Sequence, residues 1–168
     1  MEIYLTGCAA FAIMIAGDFI EYFGKKRLAK ALFLFGFFLL DLCCAVLVYL
    51  NYTDGGRPFA LRLIFGGMGI VFFALLIYAL FFALPFKATY VDREAGSTVD
   101  CGVYAVCRHP GIWFFALLML CLWAALELPL YAAVTYSVLN LAYAILEDTV
   151  IFPRTLEGYH EYKKKVPF

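Results

Sequence analysis

The chain has 168 residues, of which 65% are hydrophobic and 15% are charged, and its formal net charge is zero. Soluble domains contain about 45–50% apolar residues, so this composition excludes a soluble globular domain and predicts an integral membrane protein. The zero net charge argues against the basic surface of a nucleic-acid-binding protein, and we expect no nucleic-acid partner.

Five apolar segments predict membrane helices, because a spanning helix needs about 20 residues. They cover residues 3–23, 31–50, 59–84, 111–126 and 130–152. The fourth segment has about 16 residues and would cover only about 24 Å, so the fourth and fifth segments also fit a helical hairpin that dips into the membrane. The sequence therefore predicts an all-α integral membrane protein with about five transmembrane helices. Residues 1–58 hold the first two helices, and residues 59–168 form the core.

Positive charges are distributed unevenly between the predicted loops. Arg57 and Arg62 are the basic residues near the connection between the second and third helices. The opposite side collects Lys25, Lys26, Arg27, Lys30, Lys87, Arg93, Arg108, Arg154, Lys163, Lys164 and Lys165. Lys and Arg concentrate in cytoplasmic loops. The pattern predicts an external amino terminus and a cytosolic carboxyl-terminal tail, in a bacterial inner membrane or an endoplasmic-reticulum-like membrane.

An Arg108-His109-Pro110 sequence precedes the fourth helix. Proline is favoured in the first turn of a helix, so Arg108 and His109 are expected at the amino-terminal end of that helix. The free N–H groups and the dipole at this end favour an anion such as a carboxylate or a phosphate. The alternative is that Arg108 anchors the helix to lipid headgroups.

An acidic pair, Glu147 and Asp148, lies at the cytosolic end of the fifth helix. Tyr136, Asn140, Tyr143 and Glu147 fall on one helical face, which we expect to point into the bundle. A carboxylate at that position could bind a cationic group or accept a proton. The alternative is a capping or snorkelling carboxylate near the lipid headgroups.

Other polar residues carry weaker signals. Asp18 and Asp41 lie in the first two helices, where a hydrogen bond between helices explains them at least as well as a functional role does. Cys101, Cys107 and His109 lack a fourth ligand at a recognised spacing, so no metal site is predicted.

Two linked motifs resemble the isoprenylcysteine carboxyl methyltransferase and phospholipid methyltransferase families of membrane enzymes. The first motif is matched by Gly102, Tyr104, Arg108, His109 and Pro110. The second is matched by Glu147, Asp148, Gly158, Tyr159, Tyr162, Val166 and Pro167. The resemblance runs from about Gly66 to the end of the chain, whereas the first two helices match only as generic membrane spans.

The resemblance implies S-adenosylmethionine as the cofactor and methyl transfer to a hydrophobic or lipid-like acceptor at the cytosolic membrane face. The cofactor-binding residues that it implies are Gly67, Gly69, Tyr104, Arg108, His109, Glu147 and Tyr159. Arg108 and His109 would lie near the cofactor carboxylate, and Glu147 near its amino group. The catalytic residues would be Arg108, Glu147 and Asp148, since either acid could accept a proton from an amine or thiol. Membrane lipids are expected partners, whereas the acceptor and the oligomeric state stay open.

The chain departs from the family pattern at Ile112 and Phe114, and at Tyr143. Relatives commonly carry an arginine at the position of Tyr143, and this arginine is expected to bind a substrate carboxylate.

Two alternative functions stay open. Membrane sterol reductases, which use NADPH, have similar carboxyl-terminal motifs but are usually longer. A non-enzymatic scaffold or transporter subunit would explain the hydrophobicity, but not two polar motifs on one face.

Overall fold

A computed structural model describes residues 1–53, 56–83 and 102–168. The sequence also predicts a polar cytosolic connection at residues 87–100, between the third and fourth helices, and all of it, with Lys87 and Arg93, lies outside these ranges together with Cys101. Within the described ranges the chain is helical and contains no β-strand. The predicted all-α class is therefore confirmed.

The helices follow the order of the predicted segments. Their bounds are α1 Glu2–Tyr22, α2 Lys26–Asn51, α3 Phe59–Ile77, α4 Pro110–Leu126, α5 Leu130–Leu146, α6 Phe152–Thr155 and α7 Tyr159–Lys165. A π-helical turn, Tyr78–Phe82, extends α3, and a second one, Glu147–Ile151, joins α5 to α6. A short 3₁₀ turn, Gly102–Ala105, lies before α4.

Four helical stretches of the described chain are long and apolar enough to cross a membrane. They are Glu2–Glu21, Arg27–Asn51, Phe59–Phe82 and Leu130–Thr155. The apolar helix Pro110–Leu126 is shorter than these, as its sequence predicts. The chain thus has the helices of a membrane protein, with four long spans where the sequence alone predicts about five.

Two helix boundaries differ most from the predicted ones. Helix α2 begins at Lys26 rather than at residue 31, because Arg, Leu, Ala and Lys are all good helix formers. The fifth helix does not end before Pro153 but continues through the π-helical turn to Thr155. A proline ring clashes with the carbonyl four residues earlier in a regular helix, and the wider π turn, which spans that position, relieves the clash.

The helices pack as a chain of neighbours. Helix α1 packs along α2 and also contacts α5, while α4 packs between α3 and α5. Gly36 of α2 lies so close to α1 that an added Cβ would meet the Ala10 carbonyl oxygen at 2.8 Å. At the centre of the bundle, Phe11 of α1 and Tyr136 of α5 are almost completely buried. These contacts hold α1 against the carboxyl-terminal half of the chain.

A polar cluster joins the α2–α3 connection to the turn between α4 and α5. Glu127 has a left-handed backbone with φ 60°, and its Oε2 accepts hydrogen bonds from the Thr53 N–H at 3.1 Å and the Thr53 hydroxyl at 2.7 Å. The hydrogen bond from the Thr53 hydroxyl is the main cause that lowers the pKa of Glu127. Arg57 lies over the Trp123 ring. This cluster fixes the amino-terminal pair of helices to the core at one end of the bundle.

Candidate functional site

The helices enclose a cavity of about 1130 Å³. Apolar residues from α1 to α5 form most of its wall, and the segment after α5 and the α7 helix close one end. Leu34 of α2 and Ile70 of α3 both line the cavity and are 39% and 73% exposed. The cavity therefore opens sideways between α2 and α3, on the apolar surface of the bundle.

Asp148 is the centre of a buried polar cluster at the closed end. Its Oδ1 accepts a hydrogen bond from the Tyr159 hydroxyl at 2.6 Å and lies 3.3 Å from Nε of Arg108. Its Oδ2 accepts a hydrogen bond from Nζ of Lys163. The side chains of Arg108 and Asp148 are only 8% and 5% exposed, so this ion pair is shielded from solvent. Asp148 thus joins the loop before α4 to the carboxyl-terminal helix.

The loop before α4 and the carboxyl-terminal tail are held together by further contacts. The Tyr162 hydroxyl donates to the carbonyl of Tyr104 at 2.7 Å, and the backbone N–H of Arg108 donates to the carbonyl of Pro167 at 3.0 Å. The Tyr104 hydroxyl donates in turn to the carbonyl of Ala79, in the π-helical turn that extends α3. These bonds bring the two sequence motifs, which lie about forty residues apart, into one unit.

His109 lies inside this unit rather than at the surface. Its ring is parallel to that of Phe152 and also contacts Phe168, and its Nε2 lies 3.5 Å from Oδ1 of Asp148. Burial lowers the pKa of His109, since desolvation outweighs the attraction of the Asp148 carboxylate. His109 is therefore neutral at pH 7. Burial and the hydrogen bond to Asp148 raise the pKa of the Tyr159 phenol, which stays protonated.

Two atoms of this cluster keep unused hydrogen-bonding capacity. Among the described side chains, neither Nε of Arg108 nor Nε2 of His109 makes a hydrogen bond, although both atoms lie within ion-pair distance of Asp148. Both residues line the cavity. An unsatisfied buried donor is costly, so the site favours a polar ligand group that could accept hydrogen bonds there.

A second polar group lies on the cavity wall nearby. The Tyr143 hydroxyl of α5 donates to Oδ2 of Asp18 of α1 at 2.7 Å. Glu147, one helical turn after Tyr143, interacts with both of these side chains. Asp18, Tyr143 and Glu147 all line the cavity. The predicted inward-facing stripe of α5 is confirmed, since Tyr136 and Tyr143 are buried and Asn140 lines the cavity with Glu147.

The structure brings together most of the residues that the sequence predicts for a site. Five of them line the cavity: Tyr104, Arg108, His109, Glu147 and Tyr159. A sixth, Asp148, is buried and contacts both Arg108 and Tyr159.

The two predicted glycines of α3 lie in different places. Gly69 lines the cavity and packs against Cys121 of α4, where an added Cβ would lie 3.4 Å from the Cys121 Cβ. Gly67 lies on the exposed side of α3, with no atom within 4 Å of an added Cβ, and it does not line the cavity.

Sequence patterns do not predict the partners of two residues of the site, Asp18 and Lys163. Asp18 is the hydrogen-bond partner of Tyr143, although 125 residues separate them, and the sequence indicates only that Asp18 could make some bond between helices. Lys163 belongs to a basic run whose simplest interpretation is contact with anionic lipid, yet it pairs with Asp148. No spacing rule predicts either pairing.

The arrangement combines three chemical environments in one cavity. Arg108 and His109 contribute nitrogen atoms, Asp18 and Glu147 contribute carboxyl groups, and the wall towards α2 and α3 is apolar. In the described part of the chain, no group of three or more His, Cys, Asp or Glu residues could hold a metal ion. Comparison of the chain with known protein families, curated proteins and solved structures found no match.

Proposed function

We propose that this chain is an S-adenosylmethionine-dependent membrane methyltransferase that acts on a hydrophobic or lipid-like acceptor. One observation carries the proposal: the two motifs that resemble the methyltransferase families meet at one end of a single cavity. Tyr104, Arg108 and His109 from the first motif line it together with Glu147 and Tyr159 from the second. If the two motifs matched these families only by chance, there would be no reason for their residues to line the same cavity.

The residues at the closed end fit the charges of the cofactor. S-adenosylmethionine carries a carboxylate, an ammonium and a sulfonium, together with an aromatic base. The buried Nε of Arg108 and Nε2 of His109 could donate to the carboxylate. Glu147 lies on the same cavity and could accept from the ammonium. Tyr104 and the apolar wall suit the adenosine.

The size of the cavity supports a reaction between two bound molecules. Pockets for one small ligand have volumes of about 300–1,000 Å³. The cavity, at about 1130 Å³, exceeds that range and leaves room for an apolar acceptor beside the cofactor. An acceptor with an acyl or prenyl chain could enter from the lipid through the opening between α2 and α3.

The chain's own residues would contribute positioning, exclusion of water and proton transfer. The cofactor, when bound, supplies an electrophilic methyl group on a positively charged sulfur. The tail cluster around Asp148 fixes Arg108 and His109 and covers the closed end. Because charge is dispersed in such a displacement, a dry and preorganised cavity favours it. Glu147, which lines the cavity, could accept a proton where the acceptor is an amine or a thiol.

The same proposal includes an orientation. The excess of Lys and Arg around α7 and the α1–α2 connection supports a cytosolic closed end and an external amino terminus. The cofactor would then enter from the cytosol of a bacterial or endoplasmic-reticulum-like membrane.

Binding of the reaction product tests the proposal directly. Purified protein in detergent should bind S-adenosylhomocysteine saturably in a calorimeter, and Glu147→Gln should weaken that binding about tenfold, because it loses a charge-assisted hydrogen bond. Glu161→Gln, which changes an exposed glutamate of α7, is the matched control and should bind like the wild type. Binding of NADPH instead would move the assignment to a reductase.

A further inference from the structure

Asp41 of α2 and Asn140 of α5 place polar groups in the otherwise apolar part of the cavity, and both residues line it. Asp41 lies ten residues before Asn51, the last residue of α2, and Asn140 lies ten residues after Leu130, the first residue of α5. At 1.5 Å per residue, both lie about 15 Å from an end of their helix. That distance is the middle of a hydrocarbon layer about 30 Å thick.

Neither side chain joins two helices through a hydrogen bond. The sequence allows such a bond for Asp18 and Asp41 alike, and the structure contains it for Asp18, whose partner is Tyr143. Within the described chain, Asp41 and Asn140 make no hydrogen bond and no ion pair. Ser137, one turn before Asn140, differs because its hydroxyl donates to the backbone of its own helix. Hydrocarbon offers no partner to an unpaired polar group, so the two side chains favour a polar group of a ligand.

Asp41 lies at the opening between α2 and α3. Leu34, which belongs to that opening, precedes it by seven residues, so the two residues share one face of α2. Both are exposed and both line the cavity. The thiol of Cys44, one turn after Asp41, interacts with it electrostatically but makes no hydrogen bond with it. A ligand chain in this opening therefore lies against a carboxyl group that has no hydrogen-bond partner in the described chain.

The distribution of polar groups orients a long-chain ligand. The polar residues of the two motifs lie at the closed end, so the head group belongs there and the chain extends towards the opening. Asn140 precedes Glu147 by seven residues, which places it about 10 Å from the level of Glu147. A ligand that satisfies the cavity thus needs a hydrogen-bonding group within its chain, in addition to its head group.

We propose that Asp41 and Asn140 select a long-chain ligand that carries a hydroxyl group within its apolar chain. A hydroxyl both donates and accepts hydrogen bonds, so it suits the carboxyl group of Asp41 as well as the carboxamide of Asn140. A plain hydrocarbon chain leaves both groups unpaired and binds more weakly. That this ligand is the methyl acceptor rests on the proposed function, whereas the selection of the hydroxyl does not.

Hydroxylated fatty acids test the inference. The probes are octadecanoic acid and its 2-, 8-, 10- and 12-hydroxy derivatives, whose shared carboxylate suits the unpaired Nε of Arg108 and Nε2 of His109. Dissociation constants are measured for the full chain in phosphatidylcholine nanodiscs, without an adenosyl compound. The variants are Asp41→Leu and Asn140→Leu, which remove the polar group, and Asp41→Asn, which retains hydrogen bonding. Ser137→Ala is the matched control, because Ser137 does not line the cavity.

In the wild type, at least one of the 8-, 10- and 12-hydroxy acids should bind about tenfold more tightly than octadecanoic acid, and the 2-hydroxy acid should not. Asp41→Leu or Asn140→Leu should abolish this preference, whereas Asp41→Asn and Ser137→Ala should retain it. The inference is overturned where none of the three acids binds more tightly than octadecanoic acid, or where the preference persists in both leucine variants.

A second measurement excludes a purely structural role. Both leucine variants should unfold at or above the wild-type temperature, because each removes an unpaired polar group from hydrocarbon. A clear decrease for Asp41→Leu would show that this side chain holds the bundle together. A wild-type dimer that Asp41→Leu dissociates would show that a second copy is the partner. Either result would overturn the inference.

The two proposals fail in different ways. Binding of S-adenosylhomocysteine without a preference for a hydroxylated chain overturns the role of Asp41 and Asn140 and leaves the methyltransferase standing. A hydroxyl preference that depends on Asp41 or Asn140, in a protein that binds no adenosyl compound, supports these residues and overturns the methyltransferase.

Discussion

The hydroxyl of Tyr159 donates a 2.6 Å hydrogen bond to Oδ1 of Asp148, a residue eleven positions earlier in the chain. The bond turns the carboxyl-terminal segment back over the end of α5. Lys163 and Arg108 approach the same carboxylate from the tail and from the loop before α4. The end of the cavity is therefore closed by a tail that is anchored on one buried acid.

The substitution Asp148→Asn tests this anchor. It keeps the size of the side chain but leaves the buried Arg108 without its carboxylate, and removing one partner of a buried ion pair costs about 3–5 kcal/mol. We expect a loss near the lower limit, about 3 kcal/mol, because Lys163 is partly exposed. Thermal unfolding in detergent measures it, with Glu161→Gln as the exposed control. An unfolding temperature equal to that of the wild type would show that the anchor does not stabilise the fold.

The lowered pKa of His109 predicts a pH dependence of stability. Below pH 6.5, the ordinary pKa of histidine, the imidazole of His109 becomes protonated in the unfolded chain. In the folded chain it stays neutral until the pH reaches its lower pKa. The free energy of unfolding should therefore decrease as the pH falls from 6.5 towards the folded pKa of His109. Above pH 6.5 the contribution of His109 to this free energy should be constant. We expect His109→Gln to flatten the dependence of the unfolding temperature on pH, whereas the exposed His160→Gln should retain it. Equal slopes in both variants would contradict this assignment.

Two glycines should respond in opposite ways to alanine. In Gly36→Ala the new Cβ would lie 2.6 Å from Cγ of Met14 and 2.8 Å from the backbone oxygen of Ala10, so α1 and α2 would have to separate. Overpacking of this kind costs about 1–3 kcal/mol. Gly67→Ala meets no atom within 4 Å and should be neutral or slightly stabilising, because alanine is the better helix former. Comparable losses in both variants, measured by thermal unfolding, would argue against the α1–α2 packing.

The turn between α4 and α5 allows a separate test of the Glu127 carboxylate. Glu127→Ala removes the acceptor of both Thr53 hydrogen bonds and retains a side chain at a φ of 60°, so it should lower the unfolding temperature. Glu127→Gly should lower it less, since glycine adopts positive φ readily. The Glu127 carboxylate should stabilise the fold above pH 4.5, and this stabilisation should be lost as the pH falls through the lower pKa that Glu127 has in the folded chain. An alanine variant as stable as the wild type would refute this role.

Local sequence patterns were sufficient for the existence and order of the long apolar helices and for the inward face of α5. Hydropathy located the four long spans of the described chain, and the helical spacing placed Tyr136, Tyr143 and Glu147 on the face that lines or adjoins the cavity. The pairing of Asp18 with Tyr143 could not be predicted, because it depends on how α1 packs against a helix far away in the chain. The continuation of the helix past Pro153 depends on a π turn, which has no clear sequence signal.

Calorimetric titration of the detergent-purified chain with S-adenosylhomocysteine, with NADPH in parallel, tests the central proposal most directly. We expect saturable binding of S-adenosylhomocysteine that is about tenfold weaker in Glu147→Gln and unchanged in Glu161→Gln, and no binding of NADPH. A folded wild-type protein that binds NADPH, or that binds no adenosyl compound at all, would contradict it.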